Sequence, residues 1–145
     1  MPEKDIFSTI RIGVTGYSAQ KFDVAEAQRM LRDAYNKIDK KHRDKSKTVV
    51  SGLTDLGVPA LAYREAKTRG WRTVGIACSK AEEFDCFAVD ERVIVGNEWG
   101  KESETFLNSI DVLVRVGGGN QAKRETETFK KLRKQVIEYD LPAQK

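Results

Sequence analysis

The chain has 145 residues, 39% of them apolar and 33% charged, with a formal net charge of +4 and a pI near 9.1. That length suits one domain with one core, spanning residues 1–145. No apolar run approaches the roughly 20 residues of a membrane span, and the charged opening Met-Pro-Glu-Lys-Asp lacks the apolar stretch of a signal peptide, so a soluble, cytoplasmic protein with no membrane partner is expected.

The chain then alternates between two periods. Ile6 to Val14 reads as a strand and stops at Thr15-Gly16-Tyr17-Ser18. From Asp23 to about Lys41 the apolar positions Val24, Ala27, Met30, Leu31, Ala34, Tyr35 and Ile38 recur at steps of three and four, one stripe of an amphipathic helix. Asp23 is its expected N-cap, with Glu26 three residues on. Thr48–Ser51 is a short β-branched strand. A turn follows over Gly52–Gly57, then a helix opened by Val58-Pro59 and ended by Gly70. Thr73–Ala77 and Glu91–Val95 read as further strands, Lys101–Ser109 has helical spacing, and Asp111–Val116 is a fifth strand closed by Gly117-Gly118-Gly119. A last helix is predicted over Thr126 to about Val136, with a short strand in the tail.

Apolar strands without strict alternation, separated by helices, predict a doubly wound, Rossmann-like α/β fold: a mostly parallel sheet with helices on both faces. Ligands of such sheets sit at the carboxyl ends of the strands. The candidate ligand-binding residues are therefore those of three glycine-bearing turns: Gly16, Tyr17 and Ser18; Ser51, Gly52, Thr54, Asp55 and Gly57; and Gly117, Gly118, Gly119, Asn120 and Gln121. Glycine lets backbone amides approach a phosphate, and the following helix presents unpaired N–H groups and its positive dipole end. Ser51 and Thr54 add hydroxyls, Asn120 and Gln121 add amides, and Asp55 either meets a ribose hydroxyl or caps the helix. The Ser51–Gly57 turn, with its hydroxyls and Pro59, reads as the firmer cradle.

Other chemistries lack their residues. There is no G-x-x-x-x-G-K-[ST] or G-x-G-x-x-G fingerprint and no G-x-S-x-G elbow. Cys78 and Cys86 form neither a disulfide framework nor a zinc motif and read as free thiols. The single His42 sits in a basic run that reads as solvated surface, so no metal site and no required cofactor are expected beyond a nucleotide-type ligand. The runs Lys37–Lys47 and Lys123–Lys134 interleave acids with bases and read as solvated helix faces.

At the turns the chain resembles a known group. Ser51-Gly52-Leu53-Thr54-Asp55-Leu56-Gly57-Val58 resembles the Ser-Gly-Gly-x-x-Gly-(Val/Leu) turn of the Lonely Guy-type proteins, once called lysine decarboxylase-like. Asp111–Gly119 followed by Glu125 resembles their strand and Pro-Gly-Gly-x-Gly-Thr-x-x-Glu motif, and Thr15–Ser18 is similar to the opening turn of the wider superfamily that joins them to DNA-processing protein A and the molybdenum-cofactor carrier proteins. The resemblance spans about residues 8–135. It implies binding of a nucleotide or related phosphorylated small molecule, and a homo-oligomer. In the Lonely Guy branch it also implies cleavage of a nucleoside 5′-monophosphate at its N-glycosidic bond by acidic residues assisted by an arginine. Here Val116 replaces the motif's proline, Asn120-Gln121 replaces its Gly-Thr pair, and Lys123-Arg124 precede the displaced Glu125.

Three functions follow. The first is a nucleotide-binding carrier or sensor without chemistry. The second is a nucleoside-monophosphate N-glycosidase with Glu125 or Glu127 as the acid and Arg124 or Lys101 supplying positive charge. The third, on the basic charge, is binding of single-stranded nucleic acid with Tyr17, Trp71 and Trp99 stacking on bases; core or interface roles for the two tryptophans compete with that role.

Overall fold

The computed structural model describes residues 9–144, and the predicted strand start at Ile6-Phe7 lies outside them. In chain order the elements are β1 (Thr9–Gly16), α1 (Val24–Lys41), β2 (Ser46–Ser51), α2 (Gly57–Thr68), β3 (Arg72–Ala77), a 3₁₀ turn (Ser79–Glu83), β4 (Glu91–Ile94), α3 (Ser103–Asn108), β5 (Val112–Val116), α4 (Asn120–Lys131) and β6 (Gln135–Tyr139). The six strands form one sheet in the order β4-β3-β2-β1-β5-β6, and every strand pairing in it is parallel. The predicted Rossmann-like fold is the observed one.

The two faces of the sheet are built from alternate strand residues, as the period-two geometry requires. Ile12, Val14, Val49, Val112 and Val114 join the cluster under α1 and α2. Val50, Val74, Ile76 and Leu113 join the opposite cluster with Phe106, Leu107 and Ile110 around α3 and Phe129 of α4. The predicted stripe of α1 is the buried one, Ala27, Met30, Leu31, Ala34, Tyr35 and Ile38, and the Asp23 carboxylate accepts from the Glu26 N–H at 3.1 Å to cap the helix. Each large side chain so buried contributes about 1.5–3 kcal/mol. Gly13 makes room for the α3 side: a Cβ there would lie 3.0 Å from both Ile110 Cγ2 and Phe106 Cζ.

Several elements differ from their predicted bounds by one or two residues, and the last helix departs furthest. The last helix begins at Asn120, directly after Gly119, and Val136 belongs to β6. Its buried stripe is Ala122, Glu125, Thr126 and Phe129, at helical spacing but with two polar members, so an apolar periodicity overlooks the first turn and a half. Arg133, at φ 58°, ends the segment.

Candidate functional site

The strand order reverses between β1 and β5, whose neighbours lead the chain away in opposite directions. A cleft of about 380 Å³ lies over the carboxyl ends of β1, β2 and β3 at this point, the place where open parallel sheets bind ligands. The three glycine turns meet around it, and the structure gives them different tasks.

The first turn is a buttress. A Cβ on Gly16 would lie 2.9 Å from Val58 Cβ, so only glycine lets α2 close on the end of β1. The Val58 N–H donates to Tyr17 O at 2.7 Å, and the Tyr17 hydroxyl donates to Leu141 O at 2.9 Å. The Tyr17 ring lies against Gly117 and stacks on Phe22 at 6.0 Å. Tyr17 and Ser18 both line the cleft, with Ser18 exposed.

Two donors of the second turn are engaged within the fold. The Ser51 hydroxyl donates to Val14 O at 2.7 Å, and the Asp55 N–H to Asp85 O at 2.8 Å. The Asp55 carboxylate pairs with Arg64 at 3.2 Å and does not cap α2, whose N-cap Leu56 has no side-chain hydrogen bond. Gly57, at φ 65°, is pressed onto the first turn, with a Cβ there falling 2.5 Å from Ser18 Cα. Tyr63 pins the loop from below: its hydroxyl lies 2.7 Å from Gly52 O and 3.0 Å from Val74 O. Ser51, Gly52 and Thr54 line the cleft; Asp55 and Gly57 do not.

The third turn is the open one. Gly117 (φ 60°) and Gly118 (φ 102°) are buried, Gly118 fitting against Ala122 and Gly16. Gly119 is exposed, a Cβ there would meet nothing within 4 Å, and it precedes α4 with no side-chain cap. Gly119, Asn120 and Gln121 line the cleft. The amides of the first turn of α4 therefore end on it with the positive end of the helix dipole. The start of α2 is closed by contrast, with the Val58 N–H bound to Tyr17 O and Gly57 off the lining, while Gly52 and Thr54 stay on it.

One turn into α4, Glu125 follows Gln121 on the same face and is buried in the cleft wall. Its carboxylate accepts from the Thr15 hydroxyl and the Ser103 hydroxyl, each at 2.8 Å. Burial pushes this carboxyl above the usual glutamate range, and the hydrogen bonds from Ser103, Thr15 and Gln121 oppose that rise. Glu127 and Arg124 lie outside. At about 100° per residue they leave the Glu125 face; both are exposed, and Glu127 contacts Lys130 at 3.8 Å. Lys101 is exposed and does not reach the cleft either. Of the four residues considered for glycosidic chemistry, the fold brings only Glu125 to the site.

Several lining residues lie outside the candidate binding residues read from the glycine turns. Thr15 ends β1, Ser103 opens α3, and Glu102 and Trp99 come from the loop before it. The placement of Ser103 and Glu102 is decided by the fold, since α3 docks beside α4 across the intervening β5. Among the described residues no lysine or arginine lines the cleft. Trp71, by contrast, packs on Tyr35 at 5.0 Å within the core. Cys78 is buried and Cys86 half-buried, both free thiols.

No protein-family profile and no curated protein matches the chain. Solved structures do. The molybdenum cofactor carrier protein from Chlamydomonas reinhardtii superposes with a TM-score of 0.69 at 25% identity, over 90% of this chain and 76% of its own. The chain shares the fold of the molybdenum cofactor carriers. The protein TM1055 aligns with a TM-score of 0.69 at 26% identity, over 88% of this chain and 72% of its own. The molybdenum cofactor binding protein from the phototrophic bacterium Rippkaea orientalis gives 0.71 at 24% identity, over 90% and 76%, and at that identity bears on the fold alone. The resemblance seen at the turns is thus borne out at the level of the wider superfamily that includes these carriers. Among the described residues no helix is long and apolar enough to cross a membrane.

Proposed function

We propose that this protein is a carrier or sensor that holds a phosphorylated small molecule in the switch-point cleft without transforming it. The observation that carries the reading is the uncapped N-terminus of α4, opening on the cleft at Gly119–Gln121. Backbone amides at a helix start bind a phosphate without any cationic side chain, which suits a cleft that has none. Two further facts favour a carrier over an N-glycosidase. Neither Glu127 nor, among the described residues, an arginine joins Glu125 on the lining, where Glu102 is the other acid, and both Glu125 oxygens already accept hydroxyl donors. A single-stranded nucleic acid is disfavoured at this site because none of the described residues lining it is basic and able to track a phosphate backbone.

The fold neighbours named as molybdenum cofactor carriers make that cofactor a candidate ligand beside the mononucleotides. The test is native mass spectrometry of the purified protein together with elemental analysis for molybdenum and calorimetric titration with a panel of nucleoside monophosphates. A bound phosphorylated compound, or saturable binding of at least one nucleotide, is expected. A protein that carries no molybdenum or small molecule and takes up no nucleotide would sink the reading.

A further inference from the structure

The cleft has a polar end at the start of α4 and a second end of different chemistry. Trp99 stands on its rim, 53% exposed, beside Phe84, which is 54% exposed with its ring centroid 6.1 Å away. A large aromatic left in water needs a reason other than core packing, and Trp99 belongs to none of the three apolar clusters. Its loop is shaped by Gly96 (φ 70°) and Gly100 (φ 95°) on either side and tied down by the Lys80–Glu98 pair at 3.0 Å. A ring held in this way at a cleft mouth is a stacking platform.

Deeper in, Glu125 is a carboxylate with no cation among the residues around the cleft. Each of its oxygens takes one hydroxyl hydrogen bond, and with the Gln121 amide beside it the carboxylate still has acceptor capacity to spare. Such a group repels phosphate and attracts N–H donors. Glu102, also on the lining, has the same polarity.

We propose that the cleft selects a planar nitrogen heterocycle with adjacent N–H donors, stacked on Trp99 with its donor edge turned to Glu125 and its phosphate at the start of α4. This rests on the carrier reading above and adds the class of ring and the two residues that choose it. No bond is made or broken.

The test is calorimetric titration of the wild-type chain, Trp99→Ala, Trp99→Phe and Glu125→Gln with four probes: ribose 5-phosphate, and adenosine, inosine and guanosine 5′-monophosphates. Guanosine monophosphate is the probe with the ring N–H and amino group side by side. It is expected to bind about tenfold or more tighter than ribose 5-phosphate, the factor that one aromatic stack supplies. Trp99→Ala should collapse that ratio towards one and Trp99→Phe should largely restore it. Glu125→Gln should remove the preference for guanosine over inosine monophosphate, an effect that a merely structural carboxylate would not produce. Because Trp99 is exposed, its variants remain informative even where Glu125→Gln fails to fold. If ribose 5-phosphate and guanosine monophosphate bind alike, or if their ratio is the same in the Trp99 variants, the inference is overturned while the carrier reading stands. If none of the four binds and the purified protein also carries neither molybdenum nor another phosphorylated compound, the carrier reading itself fails.

Discussion

Gly118→Ala and Gly119→Ala change neighbouring glycines of one motif and should have opposite weight. Gly118 sits at φ 102°, where an L-residue costs roughly 1–2 kcal/mol. Its new Cβ would also fall 2.5 Å from the Ala122 Cβ and 3.3 Å from Gly16 Cα. Relief requires the first turn of α4 to move off the sheet, an overpacking cost of roughly 1–3 kcal/mol. The total is about 2–5 kcal/mol, a large share of the roughly 5–15 kcal/mol that holds a domain together. For a chain of this length that corresponds to a melting temperature lower by roughly 5–15 °C. Gly119 has φ −92° and open space around it, so alanine there forfeits only the preference of a helix start for glycine, about 1 kcal/mol or less. Urea unfolding followed by circular dichroism, with thermal melts as a second readout, measures both. Equal losses in the two variants, or a Gly118→Ala chain within about 0.5 kcal/mol of the parent, would refute the assignment of Gly118 to packing and Gly119 to the cleft.

Three more outcomes follow from the same geometry. Glu125 has its folded-state pKa raised by burial, so the folded chain holds its proton more tightly than the unfolded chain; this contribution is fully present below the ordinary glutamate value of 4.5 and is lost as pH rises through the folded value. The stability of Glu125→Gln relative to wild type should accordingly climb with pH over that window, and parallel urea midpoints at every pH would contradict it. Tyr63→Phe removes the one hydroxyl that the Gly52 and Val74 carbonyls share and should cost about 1–2 kcal/mol in urea unfolding; a neutral result would mean water replaces it. Gly13→Ala should be destabilising because its Cβ meets Ile110 and Phe106, and Ile110→Val in the same chain should recover part of the loss, with a coupling above about 0.5 kcal/mol in a double-mutant cycle; simple additivity would place the strain elsewhere.

What the sequence by itself determined is whatever local physics decides. The periods of three to four and of two, the Asp23 cap, and glycines just past apolar strands were enough for the sheet, its parallel sense and the end of the sheet that holds the cleft, because each follows from neighbours in the chain. The same local signals misplaced the start of α4, since its buried stripe includes Glu125 and Thr126 and burial of polar side chains depends on what packs against them. Tertiary structure alone decided which helix start opens on the cleft. Ser51 spends its hydroxyl on Val14, and Gly57 packs on Ser18, contacts between segments that the chain order separates. It also decided that Glu125 faces the cleft beside Thr15, 110 residues away in sequence, while Glu127 does not. A motif names residue types in order; whether a donor is free for a ligand depends on the partners the fold gives it.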